Sequence, residues 1–129
     1  MDARLVATAI KRGWRKRCPH CGQGPLFAGW RHIRRCSVCG LVFEPNAGDT
    51  WAFTIIFDRL PLGLMVALVY FGLFRAHRAL GIAAFVALGA AFVATSPNRW
   101  GFGIALHYLS RVIWPDPADP LPPRPPVSP

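Results

Sequence analysis

The chain carries four cysteines in two pairs of one form, Cys18-Pro19-His20-Cys21-Gly22 and Cys36-Ser37-Val38-Cys39-Gly40, giving the spacing C-x2-C-x14-C-x2-C. In such a knuckle the first cysteine opens a tight turn. The glycine after the second accepts a positive φ, which lets backbone N–H groups point at the sulfurs. Two knuckles supply four thiolates in a tetrahedron, so Cys18, Cys21, Cys36 and Cys39 are the candidate ligands of one closed, structural Zn2+ site. Iron in a rubredoxin-like site stays open as the alternative, because Cys-Pro-x-Cys-Gly suits that metal as well. His20 and His32 can each replace a cysteine as ligand, but with four thiols at hand both are expected at the surface.

Other uses of paired cysteines fit less well. Two disulfides need an oxidising compartment, a thioredoxin-type pair needs a βαβ setting, and haem attachment needs a histidine where Gly22 and Gly40 stand. Cations precede each pair, Arg15-Lys16-Arg17 before Cys18 and Arg34-Arg35 before Cys36. They favour thiolate formation and also suit the headgroups of anionic lipids. Phe27 and Trp30 lie between the knuckles and are expected to form the ribbon's small apolar cluster, with stacking on a nucleic-acid base as the other reading.

A short module of this kind needs elements to position it. The 129 residues are 53% hydrophobic yet carry a formal charge of +9, and the two properties are segregated. Nine of the 15 Lys and Arg lie between Arg4 and Arg35, whereas Leu60 to Phe74 and Leu80 to Thr95 carry no charge. These two runs are 15 and 16 residues long, roughly 22–24 Å as helix. Extended at their outer ends they predict spans over about 51–74 and 79–97, joined by Arg75-Ala76-His77-Arg78. The fold class expected is membrane α: a zinc ribbon over 14–46, a two-helix transmembrane hairpin over 50–98, and an amphipathic helix over 99–114 lying in the interface, with a third crossing there as the other reading.

Residues 1–13 have a narrow apolar stripe and are expected as a short amphipathic helix on the membrane surface, or as a frayed end. Leu5 to Ile10 is too short and polar-flanked for a signal peptide. The tail over 115–129 is rich in proline and is expected to be disordered or polyproline II. Nine basic residues before the first span and Arg99 and Arg111 after the second, against Arg75 and Arg78 between them, predict a multi-pass inner-membrane protein with both termini cytoplasmic.

Asp58 and Arg59 interrupt the first span, either at its cytoplasmic edge or as a proton or ligand site. Folding about His77 sets residue 58 opposite roughly residue 96, one turn from Arg99, which predicts an Asp58–Arg99 pair. Neighbouring residues point about 100° apart, so Asp58 and Arg59 are not expected to satisfy each other. Asp49 and Thr50 are expected to cap the first span.

Lys11-Arg12-Gly13, the two knuckles, Gly24-Pro25-Leu26-Phe27 and Gly48-Asp49 before an apolar span resemble the bacterial family filed as domain of unknown function 983, over roughly residues 9–112. The resemblance implies a small membrane protein with a cysteine-rich N-terminal segment, two spans and no established activity. Members are often encoded beside genes for assembling haem-copper terminal oxidases, which implies a role near respiratory-complex biogenesis.

No nucleophile with a positioned base, no paired carboxylates and no phosphate loop can be read, so an enzyme is not expected. Three functions are consistent with the sequence: a non-catalytic adaptor at the bilayer, a membrane-tethered nucleic-acid-binding ribbon, and a metal-handling protein.

Overall fold

The computed structural model describes residues 2–46 and 48–123. Helix α1 (Ala3–Trp14) starts at Asp2, whose carboxylate accepts from the Arg4 amide at 2.9 Å, and carries Lys11 and Arg12 in its last turn, at the negative end of its dipole. Strands β1 (Phe27–Ala28) and β2 (Arg31–His32) pair antiparallel, Phe27 opposite His32 and Ala28 opposite Arg31. Three further helices follow: α2 (Trp51–Phe74), α3 (Arg78–Ala94) and α4 (Ser96–Ile113).

Helix α2 winds as π-helix over Ile55–Arg59 and Val69–Phe74. The first of these lies just before Pro61, which has no N–H to donate, and the Leu60 amide there reaches back five residues to Ile55 O. The start of α2 is held by neither expected cap. Thr50 is buried and bonds Glu44 through its hydroxyl, and Asp49 accepts from the Asn46 amide at 3.0 Å, closing the preceding turn. At the far end α2 and α3 are closed tightly, because a Cβ on Gly81 would stand 2.5 Å from Phe74 Cα.

Helix α2 is long and apolar enough to cross a membrane, and none of its apolar window is buried within the chain. Helices α3 and α4 meet that test only together, bent by 51°. The bend falls at Thr95, where α3 ends short of the expected residue 97, and Pro97 sits in the first turn of α4, where a missing N–H costs nothing.

The amphipathic helix expected over 99–114 also packs within the chain. Helix α4 buries Gly101, Gly103, Ile104, Ala105, Tyr108 and Leu109 inside the chain. Ile104, Tyr108 and Leu109 meet Ala9 of α1 and Leu26, Leu41 and Phe43 of the ribbon in one apolar core. Helix α1 docks on α4 rather than fraying. A Cβ on Gly13 would collide with Gly101 O and one on Gly101 with Gly13 O, so the two backbones touch, and Asn98 Nδ2 donates to Trp14 O at 2.8 Å.

The tail is also partly tied down. Asp119 pairs with Arg111, Leu121 packs against the core, and Pro123 O lies 3.3 Å from His20 Nε2. The rest of the proline-rich segment, 124–129, lies outside the described residues.

A Gly101→Ala substitution is expected to lift α1 off α4 and to cost about 1–3 kcal/mol through overpacking. Hydrogen exchange of the α1 amides measures this, and protection equal to wild type would show that the crossing is not tight.

Candidate metal centre

Each knuckle is built as its sequence dictates. Gly22 and Gly40 both adopt φ 76°, and their amides donate back to Cys18 O at 2.8 Å and Cys36 O at 3.1 Å. The chain then turns outward, so that Cys18 N donates to Gly24 O and Cys36 N to Leu41 O, each at 2.8 Å. Single antiparallel bridges, Arg17 with Pro25 and Arg35 with Val42, close the two loops.

The four sulfurs lie within 4.8 Å of one another, with Cys18 to Cys39 and Cys21 to Cys36 both at 3.7 Å. A tetrahedron with Zn–S near 2.3 Å has edges of about 3.8 Å. All four thiols are free, and their separations are far beyond a sulfur–sulfur bond. The four cysteines can therefore hold one metal ion. Gly24 belongs to the same construction, since a Cβ there would run into Cys36 Sγ.

The protonation of these thiols sets the cost of loading. Burial pushes the Cys18 thiol above its ordinary range, and burial likewise pushes Cys39 up to about 11. For Cys21 burial also raises the value, but the amides of Gly24 and Gln23 and the neighbouring thiols outweigh it and bring the thiol to about 7. One sulfur is thus ready as thiolate near neutrality, and at least two must lose a proton to the solvent when a metal enters.

Neither histidine is a surface residue as expected. His20 is buried with Nδ1 at 3.1 Å from the Tyr108 hydroxyl. His32 packs between Phe27, Phe43 and Trp100, and burial lowers its pKa despite Glu44 nearby. The apolar cluster also differs from expectation: Leu26, Leu41 and Phe43 form it, Phe27 only flanks it, and Trp30 at the β1–β2 turn is 71% exposed. Side-chain size does not decide membership: Leu26, Leu41 and Phe43 share a cluster with Ile104, Tyr108 and Leu109 of α4, which supplies the rest of the core.

The basic residues Arg15, Lys16, Arg17, Arg34 and Arg35 are all exposed, and Arg17 in addition bonds Gln23 O at 2.9 Å. Asp58 is brought together with Arg99, whose Nε donates to it, and Arg99 also bonds Thr95 and Phe92 O and stacks 3.7 Å over the Phe92 ring. Arg59 comes only to 3.7 Å from Asp58, beyond hydrogen-bond distance, and stays largely exposed, so the bonded partner of Asp58 is Arg99.

Several contributors carry no readable signal in the sequence. Tyr108, Asn98 and Arg111, which donates to Val42 O at 2.8 Å, act only through α4's docking. Gly24 could have been found from the need for clearance around a four-sulfur site.

Fold and site together define a four-cysteine ribbon-like metal site docked on helices. Comparison of the chain with family models, curated proteins and solved structures finds no match.

Two outcomes follow from this geometry. Gly24→Ala is expected to weaken zinc binding roughly 10–100-fold, the scale seen when a ligand's support is disturbed, and chelator competition that gives the wild-type affinity would refute the close approach. Because Cys18 and Cys39 are protonated at neutral pH without metal, binding releases at least two protons. Affinity should then fall at least about 100-fold per pH unit of acidification between pH 7.5 and 6.5; a slope of one proton or fewer would contradict the raised thiols.

Proposed function

We propose that this chain is a membrane-anchored zinc-ribbon protein that acts without catalysis, as an adaptor or assembly factor at the cytoplasmic face of a bacterial inner membrane. The observation that carries the reading is the docking of the four-cysteine site on α4, the direct continuation of an apolar hairpin. A ribbon fixed in this way has a set orientation relative to whatever surrounds the hairpin. In this reading α2 and α3 span the bilayer as a multi-pass anchor, with both termini cytoplasmic and Arg75 to Arg78 on the other side. Leu60, Leu64, Leu68 and Phe71, all exposed on α2, would then face lipid.

Zinc is the metal that four thiolates at tetrahedral distances suit best, with iron as the alternative. Burial of Cys18 and Cys36 supports retention over transfer, which weighs against a metal-handling role. The family resemblance supports a terminal-oxidase assembly complex as the protein partner. Exposed Trp30 beside Arg31 favours the second reading, a membrane-tethered ribbon that stacks on a nucleic-acid base.

Reporter fusions after residues 46 and 115 should both read out in the cytoplasm, and crosslinking in native membranes should recover one reproducible protein partner with a zinc-loaded chain. Fusions on opposite sides would remove the hairpin topology, and recovery of lipid alone would remove the adaptor role.

A further inference from the structure

A groove of about 550 Å³ runs between α1 and the first knuckle, lined by Thr8, Lys11, Arg12, Arg15, Arg17 and Gly22. Four of these six residues are cations and none is acidic. Among the described residues, no ion pair joins a carboxylate to any of these four cations. Like charges gathered this closely repel one another, and an anion entering between them relieves that repulsion.

The groove is also organised. Arg12 Nη1 donates to His20 O at 2.9 Å and Arg17 Nη1 to Gln23 O at 2.9 Å, so two guanidinium groups are held by the knuckle with donors to spare. Lys11 and Arg15 are exposed beside them. The negative end of the α1 dipole accounts for Lys11 and Arg12, but Arg15 and Arg17 lie past the helix and need another reason. Planar guanidinium forks match the oxygens of a phosphate, and the Thr8 hydroxyl adds a further donor.

Position selects the source of the phosphate. The C-terminal end of α1 is tied to the start of α4 by Asn98 and Trp14 O, and α4 starts where α3 ends. The groove therefore lies toward the end of the hairpin that carries Asp58 and Arg99, with exposed Trp14 next to it. A tryptophan beside a basic cluster at the end of an apolar hairpin is the arrangement found at headgroup level.

We infer that this groove binds the phosphate of an anionic phospholipid headgroup, an assignment that rests on the membrane-anchored reading and adds a discrete lipid site to it. Basic residues near an anionic surface contribute enough that losing Lys11 and Arg15 together weakens binding roughly 30-fold.

The test uses the full zinc-loaded chain in neutral detergent micelles, with retained lipid read by native mass spectrometry. Wild type is expected to keep phosphatidylglycerol in preference to phosphatidylcholine. The Lys11→Gln/Arg15→Gln variant should lose that preference, while Arg4→Gln/Arg31→Gln, which removes as much charge at exposed positions outside the groove, should keep it within about threefold. Thr8→Glu on the exposed side of α1 puts a carboxylate into the groove and should abolish the preference with zinc still bound. Equal losses in both double variants, or phosphatidylglycerol retained by Thr8→Glu, overturns the site. Displacement of the lipid by submillimolar pyrophosphate overturns it in favour of a free phosphate, and displacement by a short single-stranded RNA in favour of nucleic acid. Membrane partition of the same variants is measured separately, so that loss of the groove and loss of the anchor are told apart.

Discussion

Where α1 crosses α4, Gly13 and Gly101 bring two helix backbones into direct contact, and the position of the ribbon follows from that crossing. With α1 seated, Arg12 reaches the first knuckle at His20 O, and Arg111 on α4 reaches the second at Val42 O. Leu26 packs beside Gly101 in the same seam. A side chain at either glycine would separate the helices, and each of these longer-range contacts would lengthen with it. Backbone contact of this kind relies on dispersion and on the absence of side-chain entropy, so its strength depends on closeness alone.

Arginine does much of the joining. Arg12, Arg17 and Arg111 each hold a backbone carbonyl of the ribbon, and Arg99 holds Asp58, Thr95 and Phe92 O at the hairpin's end. Carbonyls in tight turns have few partners from regular structure, and a guanidinium group with five donors satisfies them while its stem covers apolar surface. Two of the nine cations of the basic front, Arg12 and Arg17, are therefore structural as well as charged, and Lys11 and Arg15, without such bonds, stand beside them in one groove.

The cysteine site was legible because its determinants are local: pairs two residues apart, each followed by a glycine, fix the turn whatever the rest of the chain does. The Asp58–Arg99 contact was legible for a related reason, since two helices folded about His77 have a register that can be counted. The docking of α1 and α4 was not, because it joins residues almost ninety positions apart through glycine and alanine, which are recognisable only by what they lack. The apolar stripe that suggested an interfacial helix buries Ile104, Tyr108 and Leu109 against the ribbon, a use that periodicity alone does not show. His20 was misplaced by the same omission, because the hydroxyl it meets belongs to Tyr108 on α4. Trp30 went the other way: its size suggested core, but a two-residue turn leaves it nowhere to bury.

The lateness of α4 has a bearing on how the protein is made. Ribbon residues up to Phe43 leave the ribosome well before Ile104, Tyr108 and Leu109, which complete their core. At bacterial or eukaryotic elongation speeds the delay is roughly 3–12 s. During that interval the knuckles can close and take up metal, but Leu26, Leu41 and Phe43 have no cover, and α1 has nothing to cross. Maturation of the N-terminal module is thereby timed by synthesis of the hairpin, and a chain truncated after α3 would hold a closed metal site with its apolar side still open to the solvent.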